Sequence, residues 1–289
     1  MPATPLPQAY LDGRFLPVAE ARISPLDRGF LFGDGVYEVI PAYAGRLFHL
    51  DKHLKRLRYS LDAIRLKNPR SEAQWSALLG DLVTKNGGGD QAVYLQVTRG
   101  TDVGRDHAFP VAIPATVFAM SSALTPLPEA LKTKGARAMT IPDIRWHRCD
   151  IKATSLLANV LLRQQATEAE CNEAVLVRDG HATEGTSSGL FMVEAGVIVT
   201  PPKGPELLPS VTRDVVLELA KTNGLATREA RIPVASLARA QEIWLVSSMR
   251  EVYPVTELDG KPVADGRPGP VWRRLFDLFQ QDKSRLAAA

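Results

Sequence analysis

The sequence predicts a mixed α/β or α+β protein built from two domains. Its 289 residues are enough for two modest domains. Short apolar segments separated by turn dipeptides indicate antiparallel hairpins, and they alternate with segments of helical periodicity. The proline-rich residues 122–135 show little periodicity, which is typical of an interdomain linker. We therefore expect an N-terminal α/β domain over residues 1–121, a linker over 122–135 and a C-terminal domain over 136–289.

The N-terminal half begins with a β-hairpin signal. The Asp12-Gly13 pair separates two short apolar segments, as in a tight turn between antiparallel strands. A second pair of strands is expected around a turn that ends at Gly45. Leucines at helical spacing and the capping residue Ser71 indicate helices between the sheet segments. The other elements expected in this half are helices over 51–64 and 71–85 and strands over 92–98 and 115–121.

The C-terminal half continues the mixture of strands and helices. Asp179-Gly180 and Ala195-Gly196 are turn signals between short apolar segments. Gly224 follows a helical pattern and fits the residue that ends a helix. No internal repeat is visible. The elements expected in this half are helices over 154–168 and 212–223 and strands over 174–177, 190–193, 197–200 and 242–246.

The composition excludes several classes of protein. Thirty-five basic and 32 acidic residues give a net charge of +3, so neither a nucleic acid nor a membrane is expected as the main partner. The N-terminal residues lack the pattern of a secretion signal, and no apolar run approaches the ~18 residues of a spanning helix. Cys149 and Cys171 form no CxxC pair, which predicts free thiols and a cytoplasmic location. The five histidines are scattered, so no metal site is expected.

Lys152 is the first candidate functional residue. It lies in RCDIK, directly before an expected amphipathic helix that carries Leu156, Leu157, Val160 and Leu161. A lysine held against a buried cofactor loses hydration, which lowers the pKa of its amine and makes it a nucleophile. A solvated lysine near a helix start would have the same local sequence, so the segment alone leaves both interpretations open.

Two further segments carry polar groups suited to a cofactor. In TEGTSSG, Glu184 is expected between strands and is followed by three hydroxyl residues. A carboxylate beside a pyridine nitrogen keeps that nitrogen protonated, and the hydroxyls could bind a phosphate or orient the carboxylate. Ser210 and Thr212 lie at a helix start, where unpaired N–H groups form a natural phosphate site. Taken singly, the first segment could be a polar turn and the second an ordinary helix cap.

Together, RCDIK, EGTSS and VTRD resemble the class IV (fold type IV) aminotransferases that use pyridoxal 5'-phosphate (PLP). The early segment DRGFLFGDGVYEVIPAYAGRLFHLDKHLKRL is similar to the N-terminal domain of the same family. The resemblance extends from about Gln8 to Trp272, and the ordered set of motifs is more specific than any one of them. It implies a two-domain fold type IV architecture with a C-terminal PLP-binding domain. It also implies a homodimer with sites at the domain junction.

The resemblance implies roles for individual residues. Lys152 matches the Schiff-base lysine, which also carries the proton between the substrate α-carbon and the cofactor. Glu184 matches the partner of the pyridine nitrogen. Without the family, Arg56 would be interpreted as a helix-surface arginine. The other cofactor-binding residues that the resemblance implies are Arg56 at the phosphate, Leu208 on the ring face, the backbone of Val211 and Thr212 at the phosphate, and Ser248, where relatives often have threonine.

The loop TRGTDVGRDHAFP bears on the substrate. In D-amino-acid transaminases an R-x-H pair in this loop, with a tyrosine that matches Tyr37, binds the substrate α-carboxylate. Arg105 and His107 form such a pair, which branched-chain aminotransferases generally lack. An arginine suits a carboxylate because it can bind both oxygens. The stretch between Arg99 and Arg105 is one residue longer than the usual pattern, and without the family the pair would be interpreted as exposed loop residues.

We therefore expect a transaminase that moves the amino group of D-alanine-like donors to 2-oxoglutarate or pyruvate. Its partners would be small amino acids and 2-oxo acids, and its cofactor PLP. Three alternatives remain open: a branched-chain L-aminotransferase, an aminodeoxychorismate lyase of the same fold, and a non-catalytic protein that binds a phosphate ligand. The presence of both Lys152 and Glu184 disfavours the last of these.

Overall fold

The computed structural model describes residues 4–288. The chain divides into two compact units. Unit 1 comprises the chain up to Thr125, Ile151–Ser155 and the residues from Arg285 onward, and unit 2 comprises Pro126–Asp150 and Leu156–Ser284. Both units contain helices and sheets, so the predicted mixed α/β fold class is confirmed. Every helix in the described part of the chain is too short or too polar to cross a bilayer.

Unit 1 is built on a six-stranded antiparallel sheet with the strand order β2-β1-β6-β5-β3-β4. The turns predicted at Asp12-Gly13 and Gly45 join β1 to β2 and β3 to β4. The strands are β1 (Pro5–Leu11), β2 (Arg14–Pro17), β3 (Gly35–Tyr43), β4 (Arg46–Leu47), β5 (Gln91–Thr98) and β6 (Thr116–Ala123). The helices are α1 (Arg28–Phe32), α2 (Leu50–Ala63) and α3 (Glu72–Lys85), with a short 3-10 turn at Val18–Glu20.

Helices α2 and α3 pack on this sheet because their apolar residues recur every three or four positions. Leu57 and Leu61 on α2 are 1% and 0% exposed, and each fully buried leucine contributes about 2 kcal/mol. The start of α3 is fixed locally: the Gln74 amide donates to Ser71 Oγ, and the Ser71 amide donates to Gln74 Oε1. The buried face of α2 also carries His53 and Arg56, which this packing directs toward the sheet.

Unit 2 contains a ten-stranded mixed sheet with the order β12-β11-β10-β14-β15-β7-β8-β9-β13, and β16 pairs with β15. A further pairing of β9 with β10, at Glu184 and Gly189, closes six of the strands into a ring. The strands are β7 (Ala136–Pro142), β8 (Glu173–Arg178), β9 (His181–Gly185), β10 (Gly189–Glu194), β11 (Val197–Thr200), β12 (Thr227–Glu229), β13 (Ile232–Pro233), β14 (Glu242–Ser247), β15 (Glu251–Leu258) and β16 (Lys261–Pro262). The remaining helices of the chain are α4 (Glu129–Thr133), α5 (Leu157–Glu168), α6 (Val211–Thr222), α7 (Val234–Leu237) and α8 (Pro270–Ala288), of which α8 belongs to unit 2 up to Ser284.

The residues expected to form a linker, 122–135, are partly ordered structure. β6 extends to Ala123, α4 begins at Glu129, and Leu127 is only 6% exposed. Leu127 belongs to the apolar core of unit 2, which explains why this proline-rich segment is held in place. In this segment unit 1 ends at Thr125 and unit 2 begins at Pro126.

Helix α5 differs from its prediction at its start and on its apolar face. It begins at Leu157 rather than at residue 154, because the preceding residues are irregular and Ala153 forms a single β-bridge with Val36 of β3. Leu157, Val160 and Leu161, which were expected to form its packing face, are 72%, 60% and 49% exposed. The buried face of α5 is instead the opposite one, which carries Leu162 and Ala166.

Candidate active site

The segment around Lys152 is held rigidly by backbone contacts within unit 1. The Tyr37 amide donates to the Lys152 carbonyl at 3.0 Å, and the Lys152 amide donates to Ser60 Oγ at 3.2 Å. Gly33, which ends α1 in the left-handed conformation with φ +66°, accepts hydrogen bonds through its carbonyl from the hydroxyls of Thr154 and Ser155. The main chain at Lys152 is therefore fixed, and its side chain provides the flexible reach.

The amine of Lys152 lies over an aromatic ring. Its Nζ is 4.1 Å from the centroid of the Tyr37 ring, and the residue is half-buried. The Tyr37 ring is 5.7 Å from that of Tyr94, whose hydroxyl donates to Gln96 Oε1 at 2.6 Å. Burial, with a contribution from Tyr37, raises the pKa of Tyr94 to about 12. Tyr94 is therefore a neutral phenol at physiological pH. The predicted site residues Lys152 and Tyr37 are brought together.

Arg56 lies on the buried face of α2 rather than at the surface. Glu38 on β3 accepts hydrogen bonds from Arg56 Nε and Nη2, each at 2.7 Å, and His53 Nδ1 lies 2.8 Å from the same carboxylate. Burial opposes the charge on Glu38, but Arg56 and His53 hold its pKa down to about 2. Glu38 was not identified from the sequence, although its position one residue after Tyr37 on a strand predicts the opposite face.

Arg105 and His107 lie in the loop that joins β5 to β6, and both are exposed. Their side chains meet at one ring. The Arg105 guanidinium carbon is 5.0 Å from the centroid of Phe32, and the His107 ring is 5.1 Å from the same centroid. The R-x-H spacing therefore directs two candidate carboxylate-binding groups to the same place, even with the additional residue before Arg105.

Glu184 is a buried carboxylate in unit 2. It lies within strand β9 rather than between strands, because β9 continues to Gly185 and pairs there with Val175 of β8. The Leu208 amide donates to both of its oxygens at 3.1 Å, and Arg145 Nη1 donates to Oε1. Burial raises the pKa of Glu184, although the charge of Arg145 acts in the opposite direction.

Arg145 is a site residue that the sequence analysis missed. It donates from Nε and Nη2 to the two oxygens of Asp143, each at 2.9 Å, while Nη1 reaches Glu184. Arg178 Nη2 lies 2.9 Å from Asp143 Oδ2 and completes a buried set of two cations and two anions. Burial opposes the charge on Arg145, yet Asp143 and Glu184 raise its pKa overall. The position of Arg145 in DIRWHRCD, seven residues before Lys152, is the one signal that could have identified it.

The hydroxyls of TEGTSSG serve a different carboxylate from the one expected. Thr186, Ser187 and Ser188 all donate to Glu173, which is 1% exposed on β8. The amides of Ala174 and Thr186 donate to Glu173 Oε1 at 3.0 and 3.3 Å. The prediction that these hydroxyls bind a phosphate or orient Glu184 is therefore not supported. They donate hydrogen bonds to a buried acid beside the turn between β9 and β10.

Helix α6 starts within one residue of the position that the sequence predicts. Ser210 caps it by accepting from the Arg213 amide at 3.2 Å, and Val211 and Thr212 form its first buried turn. The N–H groups of this turn have no partner within a helix, so they favour an anion. Leu208 is half-buried two residues before the cap and adjoins Glu184. Ser248 is half-buried in the turn after β14, as predicted.

Comparison with known proteins identifies close relatives of this architecture. A family model described as amino-transferase class IV matches residues 35–258. A D-alanine aminotransferase from Bacillus licheniformis is 40% identical over 273 residues, which is 94% of this chain and 96% of the relative. A D-alanine aminotransferase from Staphylococcus aureus (strain COL) is 37% identical over 94% of this chain and 96% of the relative.

Solved structures of branched-chain aminotransferases also match. The Escherichia coli branched-chain amino acid aminotransferase superposes with a TM-score of 0.89 at 25% identity, over 96% of this chain and 94% of the other. The T.th. branched-chain amino acid aminotransferase, solved with pyridoxamine 5'-phosphate, gives a TM-score of 0.89 at 26% identity, over 97% and 95%. The chain is thus similar both to D-alanine aminotransferases and to branched-chain aminotransferases.

Proposed function

The chain belongs to the class IV aminotransferase family and is a PLP-dependent enzyme, and we propose that it transfers the amino group of D-alanine-like D-amino acids to a 2-oxo acid such as 2-oxoglutarate or pyruvate. The observation that carries the choice of substrate is the Arg105-x-His107 pair, with both side chains against Phe32. The relatives called D-alanine aminotransferases, at 36–40% identity, support the same choice.

The residues described above fit PLP. The cofactor combines an aldehyde, a pyridine nitrogen and a phosphate, and the chain offers a lysine amine, a buried carboxylate and a helix start for them. We assign Lys152 to the aldehyde carbon and Glu184 to the pyridine nitrogen. Arg56 and the N–H groups of Val211 and Thr212 would bind the phosphate, Leu208 would cover the ring and Ser248 would assist at the phosphate. PLP, when bound, supplies a ring that accepts electrons from the substrate α-carbon.

Each side chain then has a task in the transfer. Lys152 Nζ takes the proton from the α-carbon of the donor, and the flexible side chain beyond its fixed backbone allows this movement. Glu184, whose carboxylate accepts a hydrogen bond from Arg145, would accept the pyridine N–H when the cofactor is bound. Arg105, His107 and Tyr37 bind the substrate carboxylate, for which a guanidinium provides charge-assisted hydrogen bonds.

A branched-chain L-aminotransferase is the second candidate, because the solved structures described above belong to that group. The R-x-H pair disfavours it, since the branched-chain enzymes generally lack that pair. The two candidates share the fold and the cofactor. What separates them is the donor, which is a D-amino acid in one case and a branched-chain L-amino acid in the other.

We also propose a homodimer in the cytoplasm. On α5, Leu157, Val160 and Leu161 recur at spacings of three and four and form one exposed apolar stripe. Exposed apolar stripes of this kind commonly cover one another in a symmetric pair. Sedimentation of the wild type as a dimer and of Leu161→Glu as a monomer would support this assignment. Cys149 and Cys171 are free thiols, which suits a reducing compartment.

The cofactor assignment is tested by reducing the holoenzyme with borohydride and mapping the labelled peptide. We expect the label on Lys152, and we expect Lys152→Ala to abolish turnover while PLP binding persists through the phosphate contacts. Lys55→Ala, on the exposed side of α2, is the matched control and should retain full activity. A label on another lysine, or turnover by Lys152→Ala, would contradict the assignment.

A further inference from the structure

We propose that Arg28, held by Asp34, positions the segment that carries Arg105 and His107 and thereby sets the affinity for the substrate carboxylate. The inference rests on the proposed function, in which these two side chains bind that carboxylate. Arg28 itself acts through the main chain of the segment and is therefore a positioning residue.

Arg28 donates hydrogen bonds to two successive carbonyls of the segment. It is 2% exposed, and its Nη1 donates to the Asp106 carbonyl at 2.6 Å while Nη2 donates to the His107 carbonyl at 3.2 Å. The planar guanidinium fork fixes both peptide groups at once. Because these carbonyls lie within and directly after the Arg105-x-His107 pair, they determine where the two side chains leave the backbone.

Asp34 and Arg99 hold Arg28 in turn. Asp34 Oδ2 accepts from Arg28 Nε at 2.9 Å, and Arg99 donates to both Asp34 oxygens at 2.8 and 3.0 Å. Partial burial opposes the charge on Asp34, but hydrogen bonds from Arg99 and Arg28 keep its pKa below the usual value. Arg99 also donates to the Ile64 carbonyl at 2.8 Å, which connects the cluster to the end of α2. Arg28 thus has little freedom to turn away from the segment.

Phe32 provides the second support. It lies one turn after Arg28 on α1, and the Arg28 guanidinium carbon is 4.9 Å from its centroid, on a ring that also contacts Arg105 and His107. Helix α1 is anchored at its start by Asp27, which accepts from the Gly29 amide. The same carboxylate accepts from the hydroxyls of Thr98 and Thr116, where β5 ends and β6 begins. The support is therefore tied to both ends of the loop.

The loop has few other anchors. Between β5 and β6 the described chain contains no helix or ladder strand, and Val103 and Val111 are 99% and 93% exposed. Phe109 is a further attachment point, with the Arg99 guanidinium carbon 3.7 Å from its centroid. Because apolar burial contributes so little here, we expect the bonds from Arg28 to dominate the order of residues 101–113.

The test compares Arg28→Gln with the wild-type holoenzyme. We expect the KM for D-alanine to rise about tenfold, which corresponds to ~1.4 kcal/mol, while kcat changes little. Hydrogen–deuterium exchange over residues 101–113 should accelerate in the absence of substrate. Arg28→Lys, which keeps the charge but loses the fork, should give an intermediate KM. Arg58→Gln, which removes an exposed arginine paired with Glu72 at 3.4 Å, is the matched control and should change neither measurement.

The possible failures are distinguishable. A folded Arg28→Gln enzyme with wild-type exchange over 101–113, or with an unchanged KM, overturns the positioning role. A wild-type enzyme without activity toward D-alanine contradicts the proposed function, and the exchange measurement still decides whether Arg28 orders the segment. If Arg28→Gln does not fold, Arg28→Lys, which keeps the charge but loses the fork, decides the question. It should raise the KM about threefold and accelerate exchange over 101–113, and an unchanged KM would overturn the inference.

Discussion

Glu38 binds the guanidinium of Arg56 through both of its carboxylate oxygens, each 2.7 Å from an arginine nitrogen. Both side chains are buried, at 0% and 7% exposure, and His53 adjoins the same carboxylate. A buried pair of this geometry is costly to break, because the remaining charge stays in a poorly solvated place. The arrangement fixes the direction of the arginine that we assign to the cofactor phosphate.

The first prediction concerns pH and stability. The pKa of Glu38 is about 2 in the folded protein, below its ordinary value of 4.5. Its stabilising contribution is therefore complete above pH 4.5 and is lost as the pH falls toward 2. Taking 1.36 kcal/mol for each unit, the loss is about 3 kcal/mol. Urea titrations of the apoenzyme at several pH values should show a smaller acid-induced loss in Glu38→Gln. Burial also lowers the pKa of His53, which adds a separate loss of stability as the pH falls below the ordinary histidine value.

The Glu38→Gln protein should also be less stable than the wild type at pH 7, by about 3 kcal/mol, because Arg56 would remain buried without its anionic partner. Arg58→Gln provides the comparison, since its ion pair with Glu72 is exposed and should contribute little. Equal stability of wild type and Glu38→Gln at pH 7 would show that the pair is not a stabilising element.

A second prediction concerns Arg145. Its charge opposes the effect of burial on Glu184, so Arg145→Met should raise the pKa of that carboxyl further. Glu184 must be anionic to accept the pyridine N–H. As the pH is lowered, the single-turnover rate of the variant should therefore begin to fall at a higher pH than that of the wild type. Arg145→Lys, which keeps a cation, should shift the profile less. Superimposable pH profiles for Arg145→Met and the wild type would exclude this electrostatic role.

Two buried glutamates of unit 2, Glu184 and Glu173, provide a third prediction. Glu184→Gln should retain the fold but slow both half-reactions, because the pyridine nitrogen loses its anionic partner. Glu173→Gln is the matched comparison, since its hydrogen bonds come from Ser187, Ser188 and Thr186. It should lower the thermal unfolding temperature and leave the rate of α-proton removal nearly unchanged. An unaltered rate in Glu184→Gln would mean that another group protonates the ring.

The fourth prediction addresses the substrate carboxylate. Arg105→Ala should raise the KM for D-alanine, because a charge-assisted contact with the substrate carboxylate contributes roughly 1.5–3 kcal/mol, or about one to two decades in kcat/KM. Donors that are primary amines without a carboxylate should lose little. D-alanine kinetics that do not change in Arg105→Ala would contradict the assignment of this loop and leave the PLP assignment intact.

Features decided by neighbouring residues could be predicted from the sequence. The Asp12-Gly13 hairpin and the cap at Ser71 depend on residues within a few positions, and the structure confirms both. Contacts between residues far apart in sequence could not be predicted in this way. Arg145 and Glu184 are 39 residues apart, and Glu173 meets its hydroxyls only after β8, β9 and β10 have paired. The β-bridge of Ala153, next to Lys152, was missed for the same reason, since its partner Val36 lies more than a hundred residues earlier.

On α5, apolar periodicity did not predict which residues are buried within the chain. The pattern predicts an apolar stripe, but it does not say what covers it. Leu157 and Val160 are exposed in the single chain, whereas Leu162 and Ala166 are buried. Sequence reasoning assumed that the stripe packs within the same chain, whereas we assign it to a second copy.

The most direct test of the account is a comparison of donors. Purified holoenzyme would be given D-alanine or L-leucine at equal concentration with 2-oxoglutarate, and the initial rate of glutamate formation would be measured for each. The R-x-H pair at Arg105 and His107 predicts rapid transfer from D-alanine and little from L-leucine. A higher rate with L-leucine would contradict the D-amino-acid assignment and favour the branched-chain alternative.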